Sequence, residues 1–124
     1  MLNATGLTPG ITATDIDASV RFYTGALGFD IIDHTDADGV LQYVSLKAGG
    51  AEIGLSRDDF AKGRDRMKGI GMRLWITTQQ DLTLLAERIK AAGYVLDGEP
   101  APLPWGPIAF SLSDPDGIKL TISN

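Results

Sequence analysis

The fold is decided by residues 15–29, which read DIDASVRFYTGALGF. Asp15 can cap a helix here, because its carboxylate can accept a hydrogen bond from the first helical turn. Apolar residues then recur at helical spacing until Gly28 ends the helix, and the aromatic Phe29 begins a β-rich run. The segment therefore predicts an amphipathic helix that leads directly into a strand.

The same order occurs a second time along the chain. Residues 77–93, which read TTQQDLTLLAERIKAAG, predict a second helix with Thr78 as its cap and Asp81 in its first turn. Gly93 ends this helix as Gly28 ends the first, 65 positions earlier. The two helices therefore look like copies of one another.

Two later segments match in the same order. GAEIGL at 50–55 resembles GIKLTI at 117–122, at an offset of 67 positions. Turn sequences, DADG at 36–39 and DPDG at 114–117, separate the β-rich runs. We therefore infer an internal duplication, α+β in class, with the order βαβββ in each half. The predicted strands are 7–14, 29–35, 40–48 and 51–56 around a helix at 16–27, then 71–77, 94–99, 107–113 and 117–123 around a helix at 81–92.

The domain organisation follows from the length. A chain of 124 residues predicts one domain, 1–124, because it can bury one sizeable core. We place the first module at 6–57, a linker at 58–70 and the second module at 71–124. The basic, glycine-containing linker is interpreted as a connector, and a mobile flap over a ligand remains the alternative.

Composition excludes several classes of function. With 44% hydrophobic and 22% charged residues the chain is expected to be globular rather than disordered. The absence of cysteine excludes disulfides, thiolate metal sites and a cysteine nucleophile. A net charge of −5 disfavours nucleic acid as a partner. No apolar run is long enough to span a bilayer and no signal peptide is evident, so we expect a cytoplasmic protein without a membrane partner.

Four segments together resemble a known family. They are DIDASVRFY at 15–23, LGF at 27–29, WG at 105–106 and SDPDG at 113–117. The chain resembles the glyoxalase, bleomycin-resistance protein and dioxygenase superfamily, also called the vicinal oxygen chelate superfamily. The resemblance implies two βαβββ modules that form a curved mixed sheet around a cleft, and modules paired or exchanged across a homodimer. For the members that are enzymes, it also implies a metal held by His, Glu or Gln on the first and last strands of the modules.

The implied metal positions carry no usual metal ligand. By the resemblance they fall at Thr8, Gly54, Gly71 and Thr121, and neither glycine nor a neutral threonine hydroxyl replaces imidazole or carboxylate at a divalent ion. The single histidine, His34, is expected to face solvent. We therefore expect no metal, no other cofactor and no catalytic residue of the usual kind.

Strand alternation predicts a ligand-binding surface instead. Residues two apart point to the same face, so the residues between the apolar core positions should line the cleft. The candidate ligand-binding residues are Tyr43, Glu52, Arg73, Trp75, Trp105 and Thr121. Their aromatic, charged and hydroxyl groups suit a planar polar organic molecule. The alternatives are a dimer interface built from the aromatics, an Arg73–Glu52 ion pair, and a Trp105 that merely covers the core.

The residues favour binding over catalysis. We expect metal-free binding or sequestration of a small aromatic or cationic metabolite or antibiotic. The alternative is a lyase or dioxygenase-type enzyme of the superfamily, with atypical metal ligands or with Glu52 as a metal-free acid–base group. A third possibility is a domain whose dimerisation serves a partner protein. Fold resemblance alone does not decide among them.

Overall fold

The computed structural model describes residues 1–124. Contacts divide the chain into two compact units, Met1–Arg66 and Met67–Asn124, called here the first and second unit. Each unit contains a strand, a helix and three further strands in that order. The α+β class and the duplicated βαβββ order are therefore confirmed, whereas the single-domain assignment and the linker boundaries remain predictions.

The first unit forms one four-stranded sheet. Its elements are β1 (Gly10–Ala13), α1 (Ile16–Gly25), β2 (Asp30–Ala37), β3 (Val40–Ala48) and β4 (Ala51–Arg57). The strand order is β1-β4-β3-β2. β1 runs parallel to β4, with Gly10 opposite Gly54, and the other two pairings are antiparallel. The last strand of the unit thus lies between the first strand and the hairpin.

The second unit repeats this topology. Its elements are β5 (Arg73–Thr77), α2 (Leu82–Ala91), β6 (Gly98–Pro102), β7 (Ile108–Ser113) and β8 (Lys119–Ser123). The strand order is β5-β8-β7-β6. β5 runs parallel to β8, with Trp75 opposite Thr121, and β7 is antiparallel to β8. The first and last strands of each unit are therefore neighbours in both copies.

Each helix covers one face of its own sheet. Apolar side chains alternate along the strands, so one face of each sheet is apolar and packs under the helix. In the first unit the buried residues include Ile16, Phe22, Tyr23, Val44, Leu46, Ile53 and Leu55. In the second they include Leu74, Leu82, Ala86, Ile89, Phe110, Leu112, Leu120 and Ile122. The opposite face of each sheet is not covered by the helix of that unit. No helix is long and apolar enough to cross a membrane.

All four strands of the second unit begin later than predicted, β7 by one residue and β8 by two, and β1 of the first unit begins at Gly10 rather than at 7. β5 begins at Arg73 rather than at 71, because Met72 closes a turn by donating its N–H to the carbonyl oxygen of Gly69 at 3.1 Å. Met72 is therefore 49% exposed and is not a core residue. β6 begins at Gly98 rather than at 94, because Tyr94 still donates its N–H to the carbonyl of Ile89 at the helix end.

The linker ends in a fixed segment. The Nζ of Lys68 lies 3.6 Å from a carboxylate oxygen of Asp116, and both side chains are buried. A Cβ added at Gly69 would lie 2.6 Å from the side chain of Ile118, so the backbone here contacts the β7–β8 turn directly. That turn is itself held by Asp114, whose carboxylate accepts the N–H of Ile118 at 2.9 Å. Residues 68–69 therefore pack as part of the second unit.

An ion-pair cluster joins α2 to β6. Lys90 Nζ lies 3.0 and 3.1 Å from the two carboxylate oxygens of Glu99 and 3.3 Å from Glu87. The bond to Glu99, and then that to Glu87, raises the pKa of Lys90 above its usual value. Lys90 is already charged at neutral pH, so this shift adds no pH switch near pH 7.

The second helix is capped differently from the prediction. Asp15 caps α1 as predicted, accepting the N–H of Ala18 at 3.1 Å. In α2 the cap is Asp81, which accepts the N–H of Leu84 at 3.0 Å, and the prediction of Thr78 was wrong. The helix begins at Leu82, so only residue 81 is adjacent to its unpaired N–H groups.

Removal of the Asp81 cap is therefore expected to destabilise the fold. Asp81→Ala should lower the free energy of unfolding by about 1 kcal/mol, while Asp81→Asn should recover most of this loss. Thr78→Ala, which removes only two hydrogen bonds to Gln80 within the preceding loop, serves as the control and should cost less. Urea denaturation measures the difference, and a larger loss for Thr78→Ala would contradict the assignment.

Candidate functional site

The second sheet has one face that α2 does not cover, called here the open face. Leu74 and Leu120 point toward the helix side and are buried. The residues between them point the other way, because neighbouring strand residues alternate. In rows across β5, β8 and β7 the open face carries Arg73, Lys119 and Ser113, then Trp75, Thr121 and Ser111, then Thr77, Ser123 and Ala109.

Trp75 is held in a defined orientation on this face. Its indole Nε1–H donates to the Oγ of Ser123 at 2.8 Å. Ser123 is 2% exposed and donates in turn to the backbone carbonyl of Asn124 at 3.2 Å. The indole itself remains 48% exposed. A large aromatic surface is thus fixed by its polar edge and presented outward.

Trp105 lies beside Trp75. It belongs to a tight loop in which Leu103 accepts the N–H of Gly106 at 2.9 Å and donates its own N–H to Pro107 at 2.7 Å. The two ring centroids are 6.2 Å apart and the ring planes are inclined by 34°. Trp105 is 68% exposed, so it does not serve as a lid over the core. Trp75 and Trp105 are called here the tryptophan pair.

Arg73 is the charged group next to the pair. Its Nη1–H donates to the Oγ1 of Thr121 at 2.8 Å, and Thr121 is 7% exposed. This bond uses one of the five N–H donors of the guanidinium. The direct neighbour of Arg73 on β8 is Lys119. Neither cation has a carboxylate partner within 4 Å.

In the first unit the ring of Tyr43 lies over Gly54. A Cβ added at Gly54 would lie 2.5 Å from the Oη of Tyr43 and 3.2 Å from its ring. The Oη accepts a hydrogen bond from Ser45 at 3.3 Å. The missing side chain at Gly54 therefore leaves no open space, because the tyrosine ring lies over the glycine.

Glu52 belongs to a polar cluster near the start of β4 in the same sheet. Its Oε2 accepts from the hydroxyl of Thr8 at 3.0 Å, and its Oε1 lies 3.7 Å from the Nζ of Lys47. Its side chain is 38% exposed. These partners hold the carboxylate in place.

Strand register identifies the implied metal positions more closely than the sequence does. In the first unit Gly10 pairs with Gly54, and in the second unit Trp75 pairs with Thr121. Thr8 lies two residues before Gly10, so its counterpart is Arg73, two residues before Trp75. The expectation that the implied metal position of the second unit falls at Gly71 was therefore wrong. Gly71 lies in the turn before β5, with a φ of +76°.

The residues at these positions do not fit a divalent metal ion. Gly54 has no side chain. The hydroxyl of Thr8 donates a hydrogen bond to Glu52, and the hydroxyl of Thr121 accepts one from the guanidinium of Arg73. A fixed positive charge at Arg73 repels a second cation. No group of three His, Cys, Asp or Glu side chains is arranged to hold a metal ion. His34 is 58% exposed beside Asp36, as expected for a solvent-facing residue.

The structure groups the candidate residues by unit. Arg73, Trp75, Trp105 and Thr121 lie together in the second unit, while Tyr43 and Glu52 lie on the first sheet. Strand alternation places Lys119 on the same face as Thr121. Sequence reasoning missed Ser123, although the same alternation, extended two residues beyond Thr121, would have placed it on this face.

The close approach of Tyr43 to Gly54 has a testable consequence. Gly54→Ala should displace the tyrosine ring and lower stability by about 1 kcal/mol, since a side chain and a ring would then compete for one space. Tyr43→Ala should remove most of this penalty, because two contacting residues are not additive. A double-mutant cycle by urea denaturation measures the coupling. Additive losses would show that the ring and the glycine do not compete.

Comparisons with known structures agree on the fold. TioX from Micromonospora sp. ML1 is 19% identical with a TM-score of 0.80, and the match covers 98% of each chain. A superfamily member from Sphaerobacter thermophilus DSM 20745 is 20% identical with a TM-score of 0.76, covering 99% of this chain and 98% of that one. Lactoylglutathione lyase from Agrobacterium tumefaciens is 18% identical with a TM-score of 0.71, covering 98% and 94%.

The family assignment comes from the sequence as a whole. No curated protein sequence matches the chain. The family model described as Glyoxalase/Bleomycin resistance protein/Dioxygenase superfamily matches residues 5–122, which is nearly the entire chain. The duplicated βαβββ order and the structural neighbours agree with that match. The protein therefore belongs to the glyoxalase, bleomycin-resistance protein and dioxygenase superfamily.

Proposed function

We propose that the protein binds a flat organic molecule on the tryptophan pair without a metal ion. The observation that supports this most strongly is the Trp75–Ser123 hydrogen bond, which orients a half-exposed indole beside Trp105. Exposed tryptophans are unusual unless they meet a ligand or partner, because burying them is favourable. Two indoles held at this spacing offer adjacent stacking surfaces.

The donor groups favour this role over metal-dependent catalysis. Arg73 and Thr121 form a hydrogen bond at two positions where enzymes of the family are expected to hold a metal. Because these residues do not suit a divalent ion, they do not support metal-dependent polarisation of a substrate oxygen. The lyase from Agrobacterium tumefaciens shares the fold, and at 18% identity this likeness carries no activity to the present chain.

Sequestration of an aromatic metabolite or antibiotic is the physiological role that we infer from binding without turnover. We further propose that the chain acts as a homodimer. The isoleucines at 31 and 32 of the edge strand β2 are each 52% exposed, and such apolar edge residues suit a second copy. A cytoplasmic location remains a prediction from the sequence.

Intrinsic fluorescence gives a direct test. The chain has two tryptophans, and both belong to the pair, so excitation of tryptophan reports on this site alone. Chelator-treated protein should show saturable quenching with flat phenolic, bleomycin-like or mitomycin-like compounds. Trp75→Ala and Trp105→Ala each leave one reporter, and each should weaken binding by about tenfold, as expected for the loss of one stacking partner.

Val95→Ala provides a matched control, because Val95 is an exposed apolar residue of the same unit. It should leave the affinity unchanged. Quenching that appears only after Zn²⁺, Mn²⁺ or Fe²⁺ is added would contradict the proposal and favour the enzyme alternative. Turnover of a candidate substrate that is lost on mutation of Glu52 or Arg73 would also contradict the proposal.

A further inference from the structure

The open face presents two cations side by side. Arg73 and Lys119 are direct neighbours on β5 and β8, and neither has a carboxylate within 4 Å. By contrast, Lys68 and Lys90 of the same unit each pair with a carboxylate. Like charges directly opposite each other on a sheet are destabilising. In a chain with a net charge of −5, this arrangement favours an anion that is not part of the protein.

We propose that Arg73, with Lys119 beside it, binds the carboxylate of an aromatic acid whose ring lies on the tryptophan pair. The inference rests on the proposed function and narrows it, since the sequence alone left aromatic and cationic ligands open. The positive charges of Arg73 and Lys119 disfavour a cationic ligand group beside them.

The spacing on β5 supports one ligand that reaches both groups. Arg73 and Trp75 are two residues apart on one face, so their Cα atoms lie about 7 Å apart along the strand. Each is held by a hydroxyl on β8, Arg73 by Thr121 and Trp75 by Ser123, both at 2.8 Å. The indole and the guanidinium are therefore oriented together before any ligand arrives.

The chemistry of the guanidinium suits a carboxylate. One N–H is used by Thr121, and the planar group can still offer two parallel donors to two oxygens. Lys119 adds a second charge without fixed geometry. A carboxylate on this side of the sheet belongs to Asp97, just before β6, and it accepts the hydroxyl hydrogen of Ser113, the β7 neighbour of Lys119. That carboxylate is therefore engaged on the far side of Lys119 from Arg73.

Isothermal titration calorimetry of the full chain with three matched probes tests the proposal. The probes are 2-naphthoate, 2-naphthamide and 2-naphthylmethylammonium, which share a ring and differ in charge, with chelator present and at low salt. Naphthoate should bind about tenfold more tightly than naphthamide, as expected for charge-assisted hydrogen bonds, and the ammonium should bind most weakly. Added salt should weaken naphthoate binding and leave naphthamide binding unchanged.

Variants assign the preference to one residue. Arg73→Gln should lower the preference for naphthoate over naphthamide severalfold, because only the charge of Lys119 then remains beside the carboxylate. An unchanged circular dichroism spectrum shows that the variant is folded. Arg73→Lys should retain part of the preference, because it keeps the charge and loses the paired donors. Arg88→Gln removes an equal charge from the exposed surface of α2 and should change nothing.

The outcomes separate the two proposals. Equal binding of all three probes, or a naphthoate preference as large in Arg73→Gln as in the unmodified protein, overturns the inference and leaves the stacking proposal intact. Failure of every probe to bind the unmodified protein overturns the proposed function and the inference with it.

Discussion

The parallel pairing of the first and last strands within each unit is the constraint on which the site depends. In the second unit this pairing places Trp75 opposite Thr121 and Leu74 opposite Leu120. Because the register is continuous, the leucines pack under α2 and the polar residues share the open face. A shift of one residue would turn the indole and the guanidinium into the core and expose the leucines. The packing of the core and the composition of the site are therefore fixed together.

The duplicated frame carries different residues in its two copies. Gly10 and Gly54 occupy in the first unit the positions that Trp75 and Thr121 occupy in the second. The ring of Tyr43 occupies the space over Gly54, whereas the indole of Trp75 projects from the sheet and lies beside Trp105. In the first sheet the Tyr43 ring covers Gly54, whereas the second sheet presents the tryptophan pair. The two copies have thus diverged on the face that is free of core packing.

Much of the fold could be predicted from local patterns. Helical periodicity located both helices, turn residues located β3 at its observed bounds, and strand alternation placed Trp75 away from the helix. Contacts distant in sequence could not be predicted in this way, such as the bond from Trp75 to Ser123, 48 positions away. The metal position was predicted at Gly71 rather than at Arg73 for the same reason, because the register that pairs Trp75 with Thr121 joins residues 46 positions apart.

The central claim is that the tryptophan pair binds a flat ligand without a metal. The most direct measurement is a set of intermolecular nuclear Overhauser effects between a bound aromatic ligand and isotope-labelled protein in the presence of chelator. The account predicts contacts from the ligand ring to the indole protons of both Trp75 and Trp105. Contacts confined to other residues, or contacts to the indoles that require an added divalent ion, would contradict it.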